Sequence, residues 1–331
     1  MPNGSLAMSR RALLVAAGAA SLHGQPAGAQ GVWKPAREVK ILCGFAPGGA
    51  GDLLCRLMAD ALRAQWGQTV IVETRSGAGG IISAEACARA APDGHTVVLA
   101  TMAMLTVSPQ LPGVTMPINV ETDLTPIASL AGIYKILVAN PQAPFRDVPG
   151  LIAHARANPQ AVTYGSAGVG SSPHLAAELF ARQAGVECTH VPYRGGAPAI
   201  TDLVAGRIGF MIGNMPEFLG QIRGGGLRGI AFGGGGAAPA LPDLPLIKQW
   251  LPRYDVSNWF GFCGPGRMPA EILAGWNGAL QAALADPSTR GKMVEAGMDI
   301  MGGPVASFTN LIVADRQRWG GVIQAAGIRA D

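Results

Sequence analysis

The apolar positions change rhythm repeatedly along the chain, and each change marks an element. After Val32, short β-branched runs alternate with stretches whose apolar residues recur every three or four positions, the pattern of a parallel sheet covered by helices. Val39–Phe45 is the first predicted strand. Leu53–Trp66 follows as a helix, with Leu54, Leu57, Met58, Ala61 and Leu62 on one face and Gly67 as its stop. Val70–Glu73 and Thr96–Thr101 read as further strands, separated by a helix over Ser83–Ala91 and a Pro92-Asp93-Gly94 turn.

Residues 125–140 form an unusually long extended stretch with a glycine in its middle, suited to running from one lobe into another. The alternation then restarts with strand Val162–Gly165, helix Pro173–Gln183, strand Cys188–Tyr193, helix Pro198–Val204 and strand Arg207–Ile212. A strand over Trp259–Cys263 returns the chain, and helices Ala270–Ala285 and Phe308–Ala326 complete the first lobe. The predicted fold is therefore α/β, with two lobes joined by two crossover strands and a cleft between them. Lobe 1 takes residues 30–132 plus 256–331 and lobe 2 takes 133–255. A chain of 331 residues is long enough for both, since single cores stop growing near ~250 residues.

Composition adds a compartment and removes several functions. Arg10 and Arg11, an apolar run from Ala12 to Leu22 and the small residues Ala27-Gly28-Ala29 have the order of an export signal over residues 1–29; the run is shorter than the ~18 apolar residues of a membrane span. Both the ordinary and the twin-arginine routes fit it. The mature chain is then periplasmic and is expected to be a monomer. Removing the signal takes away two arginines and no acid, so the net charge falls from +4 to +2, which leaves no footprint for nucleic acid. Hydrophobic residues make up 49% and charged residues 14%, the balance of a packed globular protein. Cys43, Cys55, Cys87, Cys188 and Cys263 show no metal or redox spacing and read as small core residues, with one bridge from Cys43 left open. The histidines are not paired either, so no metal and no cofactor are inferred.

Candidate chemistry lies in two glycine-rich turns between a strand and a helix. The first is Phe45-Ala46-Pro47-Gly48-Gly49-Ala50-Gly51-Asp52, with Asp52 as the expected N-cap; the second is Tyr164-Gly165-Ser166-Ala167-Gly168-Val169-Gly170-Ser171-Ser172-Pro173-His174, with Ser172 as the cap. A helix start offers unpaired N–H groups and about half a positive charge, and glycines let an anion come close. Two such seats facing each other could pinch a carboxylate. Enzymatic readings are weaker. Gly224-Gly225-Gly226-Leu227-Arg228-Gly229 lies between a helix and a strand, the reverse of a dinucleotide site, and Ser166 lacks the glycine that a G-x-S-x-G elbow needs. A secreted serine hydrolase using Ser171 and His174 is the remaining alternative.

These residues resemble the receptors of tripartite tricarboxylate transporters, the Bug-type family. The likeness rests on Phe45-Ala46-Pro47-Gly48-Gly49-x-x-Asp52, Val72-Glu73-x-Arg75-x-Gly77-Ala78-Gly79-Gly80, Pro92-Asp93-Gly94, Tyr164-Gly165-Ser166-x-Gly168-x-Gly170-Ser171-x-x-His174-Leu175 and His190-Val191-Pro192-Tyr193-Arg194-Gly195. It implies a type II periplasmic-binding-protein fold, a small carboxylate ligand, no cofactor, no catalysis, and permease subunits or a sensor as partner. Carried onto this chain, it implies ligand contacts from Phe45, Ala46, Pro47, Gly48, Gly49 and Asp52, from Ser166, Ala167, Gly168, Gly170, Ser171 and His174, and from Arg194, Gly213 and Asn214. Met102 is a further candidate because residues 101–109 are apolar where the family is often polar. The family's usual aspartate pair is absent from Gly209-Phe210-Met211-Ile212-Gly213-Asn214. With no acid at Gly213 to meet an ammonium group, amino acids are not expected as ligands.

Overall fold

The computed structural model describes Met1 and residues 33–234, 240–256 and 258–330; the export signal read over residues 1–29 lies, Met1 apart, outside them. The first half alternates as its apolar rhythm predicts: β1 Val39–Cys43, α1 Ala50–Trp66, β2 Val70–Thr74, α2 Ile81–Ala88, β3 Thr96–Thr101, then β4 Leu124–Ile133 and β5 Lys135–Ala139. Next come α3 Val148–Ala157, β6 Thr163–Ser166, α4 Ser172–Ala184, β7 Thr189–Pro192, α5 Gly196–Val204, β8 Phe210–Asn214, α6 Met215–Arg223 and β9 Arg228–Phe232. The last elements are β10 Asn258–Pro265, α7 Ala270–Ala285, α8 Pro287–Glu295, β11 Met298–Ile300 and α9 Val305–Ala326.

The strands form two sheets. One has six strands in the order β11-β4-β10-β3-β1-β2, and the other has five in the order β7-β6-β8-β5-β9. Parallel pairs at β1/β2, β1/β3, β6/β7 and β6/β8 require helical crossovers, which α1, α2, α4 and α5 supply. The long extended stretch is two strands in two sheets: β4 pairs antiparallel with β10, β5 pairs antiparallel with β8 and β9, and Tyr134 is the residue between them. Each sheet buries one face in its own cluster, Leu54, Phe262 and Trp276 in the first and Met211, Phe218 and Phe232 in the second. A third cluster, containing Met102, Tyr164, Phe180, Trp259 and Phe308, is continuous between the lobes.

Two predicted caps need correction. Helix α1 starts at Ala50 with Gly49 as N-cap, so Asp52 stands in the first turn; its carboxylate reaches back to the Gly48 N–H (3.0 Å) and also accepts from Arg56 Nε (2.9 Å). The cap of α4 is Ser171, not Ser172. In the first turn glycine takes the cap position, so the helix begins before the aspartate that would usually mark it; in the second the cap is still a serine, one residue earlier.

Candidate functional site

Both glycine turns lead into one cavity between the sheets, lined by Phe45, Gly49, Ala50, Gly51, Thr101, Ala103, Ala167, Ser171, Ser172, Pro173, Gly196, Asn214, Glu217 and Phe260. The cavity volume is about 20 Å³, room for roughly one water. Anything larger requires the lobes to part.

The second turn is shaped by positive φ at Gly168 (118°) and Gly170 (74°), which glycine adopts without steric cost. Its side chains mostly bond inward. Ser166 Oγ lies 3.1 Å from both Gly168 N and Gly168 O and 2.6 Å from His190 Nε2. Ser171 Oγ donates to Gly168 O (2.6 Å), and His174 Nδ1 accepts from Gly170 N (3.2 Å). His174 stacks on His190 at 4.2 Å between ring centres, and Tyr164 covers His190 at 4.9 Å. Burial pushes both histidines down to about 4, with His174 adding to the effect on His190. Ser171 and His174 thus bond to different backbone groups and not to each other, so they lack the nucleophile–base bond of a hydrolase.

Of the residues named from sequence, Phe45, Gly49, Ala167, Ser171 and Asn214 line the cavity. Ser166, Gly168, Gly170 and His174 shape the turn from behind. Ala46 and Arg194 meet at the seam between the lobes, where the Ala46 N–H donates to the Arg194 carbonyl (3.2 Å), and a Cβ on Gly48 would lie 3.7 Å from that of Ala197. Pro47 is exposed, as is the Arg194 residue as a whole. Met102 is a correction: it is fully buried in the core, and its neighbours Thr101 and Ala103 line the cavity instead. A π-helical turn runs over Ala103–Val107 directly after β3, a distortion frequent at functional sites.

Gly213 indeed brings no acid, but a carboxylate that the motifs do not point to stands close by. Glu217, in the first turn of α6, brings a carboxylate into the cavity. Its Oε1 accepts from Asn214 Nδ2 (2.9 Å) and, across the cleft, from the Ala50 N–H at the start of α1 (3.2 Å). Its Oε2 is sealed from solvent and has no hydrogen-bond partner. Beside it, fully buried Lys135 donates to Ser172 Oγ (2.7 Å) and Asn214 Oδ1 (2.6 Å), and Asn258 Nδ2 donates to the same oxygen (3.0 Å). Burial raises Glu217, while the bonds from Asn214 and Ala50 and the charge of Lys135 hold it back. Lys135 is pushed down to about 7 by its own burial. The only local signal was Asn214-Met215-Pro216-Glu217, a capping-box spacing that points a glutamate at its own helix. The partner lies 167 residues away.

Two α/β lobes with a small cavity at their junction have the architecture of a solute-binding site between lobes. Residues 54–328 match the model of the tripartite tricarboxylate transporter family receptor, and the chain belongs to that family. It is 32% identical over 304 residues to protein BugT of Bordetella pertussis, covering 89% of this chain and 91% of BugT. The solved structure of Rpa4515 of R. palustris with adipate has a TM-score of 0.86 at 33% identity, covering 89% of this chain and 99% of that one. MatC of Rhodopseudomonas palustris with bound malate has a TM-score of 0.83 at 27% identity, covering 87% and 99%. The protein is a solute-binding receptor and not an enzyme.

Proposed function

We propose that this receptor works in the periplasm, after loss of residues 1–29, and closes residues 30–132 with 256–331 against 133–255 on a small, partly apolar carboxylate for a permease or a sensor. The observation that carries this reading is the convergence of two glycine-shaped helix starts, at Ala50 and Ser172, on one cavity. First-turn amides and a positive helix end favour an anion there, each charge-assisted bond contributing about 1.5–3 kcal/mol. Phe45, Ala103, Ala167 and Phe260 make much of the remaining wall apolar. The adipate and malate in the related receptors support the ligand class.

The test is a thermal-shift screen with mono-, di- and tricarboxylates, followed by calorimetry on the best ligand. A true ligand at about a hundred times its Kd adds about 2.7 kcal/mol of stability. Ala167→Asp, which sets a like charge in the cavity wall, should abolish that gain. Ala167 is a cleaner probe than Gly168, whose φ of 118° would strain any side chain. Stabilisation by no carboxylate, or by the same ones in Ala167→Asp, rejects the reading.

A further inference from the structure

The seat at the start of α1 already holds an anion, and that anion belongs to the protein. Glu217 Oε1 takes the Ala50 N–H across the cleft (3.2 Å) and the Asn214 amide on its own side (2.9 Å). A Cβ on Gly196, the first residue of α5, would run into the same carboxylate, and one on Gly49 would lie 3.8 Å from Oε1. Glycine at both places leaves the backbone open to Glu217. The other oxygen, Oε2, is sealed and without a partner. It lies 3.9 Å from where a Cβ on Gly213 would stand, and the rest of that space is filled by the Phe218 ring. A buried, unpaired carboxylate oxygen is costly unless something donates to it.

We propose that Glu217 determines specificity: as the resident carboxylate of the first seat, it directs the ligand carboxylate to the Ser171–Ser172 turn and selects ligands that bring a hydroxyl or ammonium donor to Oε2. This rests on the carboxylate-receptor reading. Lys135 donates to Ser172 Oγ (2.7 Å) and to Asn214 Oδ1 (2.6 Å), so it ties the Ser171–Ser172 turn to the Asn214 amide that holds Glu217. A second ligand carboxylate would instead meet Glu217 as a like charge. Ligands of this class are hydroxy- or amino-carboxylates, in preference to plain dicarboxylates of the same length.

The test uses matched sets of four to six carbons, each a dicarboxylate, its ω-hydroxy acid and its ω-amino acid, titrated by calorimetry into the wild type, Glu217→Gln and Glu217→Ser. Glutamine keeps the acceptor for Ala50 and Asn214, so it guards against misfolding of the serine variant. The wild type should bind the hydroxy or amino member at least about ten-fold more tightly than its dicarboxylate, a single good charge-assisted bond, and both variants should lose that preference. A wild type that prefers the dicarboxylate, or variants with unchanged preference, overturns the assignment of Glu217. If neither the wild type nor the variants bind any carboxylate, the receptor reading falls and takes this inference with it.

Discussion

Behind the second glycine turn, His174 and His190 are held neutral by their surroundings. His174 Nδ1 accepts the Gly170 N–H, so a proton on that nitrogen would break the bond that closes the turn. Both groups sit at about 4 when folded against an ordinary value near ~6.5. The unfolded chain therefore takes up protons first, and the stability present above pH ~6.5 is lost as the pH falls towards 4. For His174 alone the loss is on the order of 3 kcal/mol. Thermal unfolding between pH 7 and 4 should show a falling Tm, and His190→Gln should make the fall shallower; parallel curves would mean that the pair does not titrate in this way. At this scale the sequence was readable in part. Phe45, Gly49, Ala167, Ser171 and Asn214 line the cavity, whereas Ser166 and His174 bond within the turn and its backing, since a motif does not say which side of a turn a residue faces. Glu217 was illegible because its role depends on an amide that only the closed fold brings near.

At the scale of elements, the rhythm of apolar residues locates most of the strands and helices, though not the short edge strand β11, and glycine decides several of their ends. Two helices escaped notice, α3 and α8, although each begins with an aspartate cap: Asp147 accepts from Gly150 N (2.7 Å) and Asp286 from Thr289 N (2.8 Å). Asp-Val-Pro and Asp-Pro are start signals in themselves; in α3 Val148, Leu151, Ile152 and Ala155 even follow at helical spacing, whereas α8 has few apolar residues to mark it. Helix α1 differs in the opposite sense: it starts at Ala50, three residues before the start that an Asp52 cap predicts. The actual task of Asp52 is to accept from Gly48 N (3.0 Å) while Arg56, on the exposed face, neutralises it at 2.9 Å. Asp52→Ala should lower unfolding stability by about 1 kcal/mol, with Asp52→Asn losing less because an amide oxygen still accepts from Gly48. Equal urea midpoints for all three proteins would show that the turn holds itself.

For the whole molecule, the seam between the lobes is built where side chains are absent. Gly195, with φ of 138°, places its backbone so close to the other lobe that a Cβ would stand 2.8 Å from Ala46 N and 3.0 Å from Ala46 Cβ. Beside it runs the Ala46 N–H to Arg194 carbonyl bond. Gly79 makes a similar approach, since a Cβ there would lie 3.1 Å from the Val169 carbonyl. An alanine at 195 must therefore push the lobes apart and weaken that bond, whereas Lys135 and Asn258 near the crossovers are untouched. Backbone strain alone costs on the order of 1–3 kcal/mol at such a φ, so it needs a control. Gly67→Ala supplies one, since Gly67 has φ of 66° with nothing within 4 Å of a new Cβ. Both variants should lose stability, but only Gly195→Ala should bind carboxylate more weakly and fail to contract in small-angle scattering when ligand is added. If the two variants bind alike, closure does not pass through this seam, because strain is then the only thing that the substitutions share.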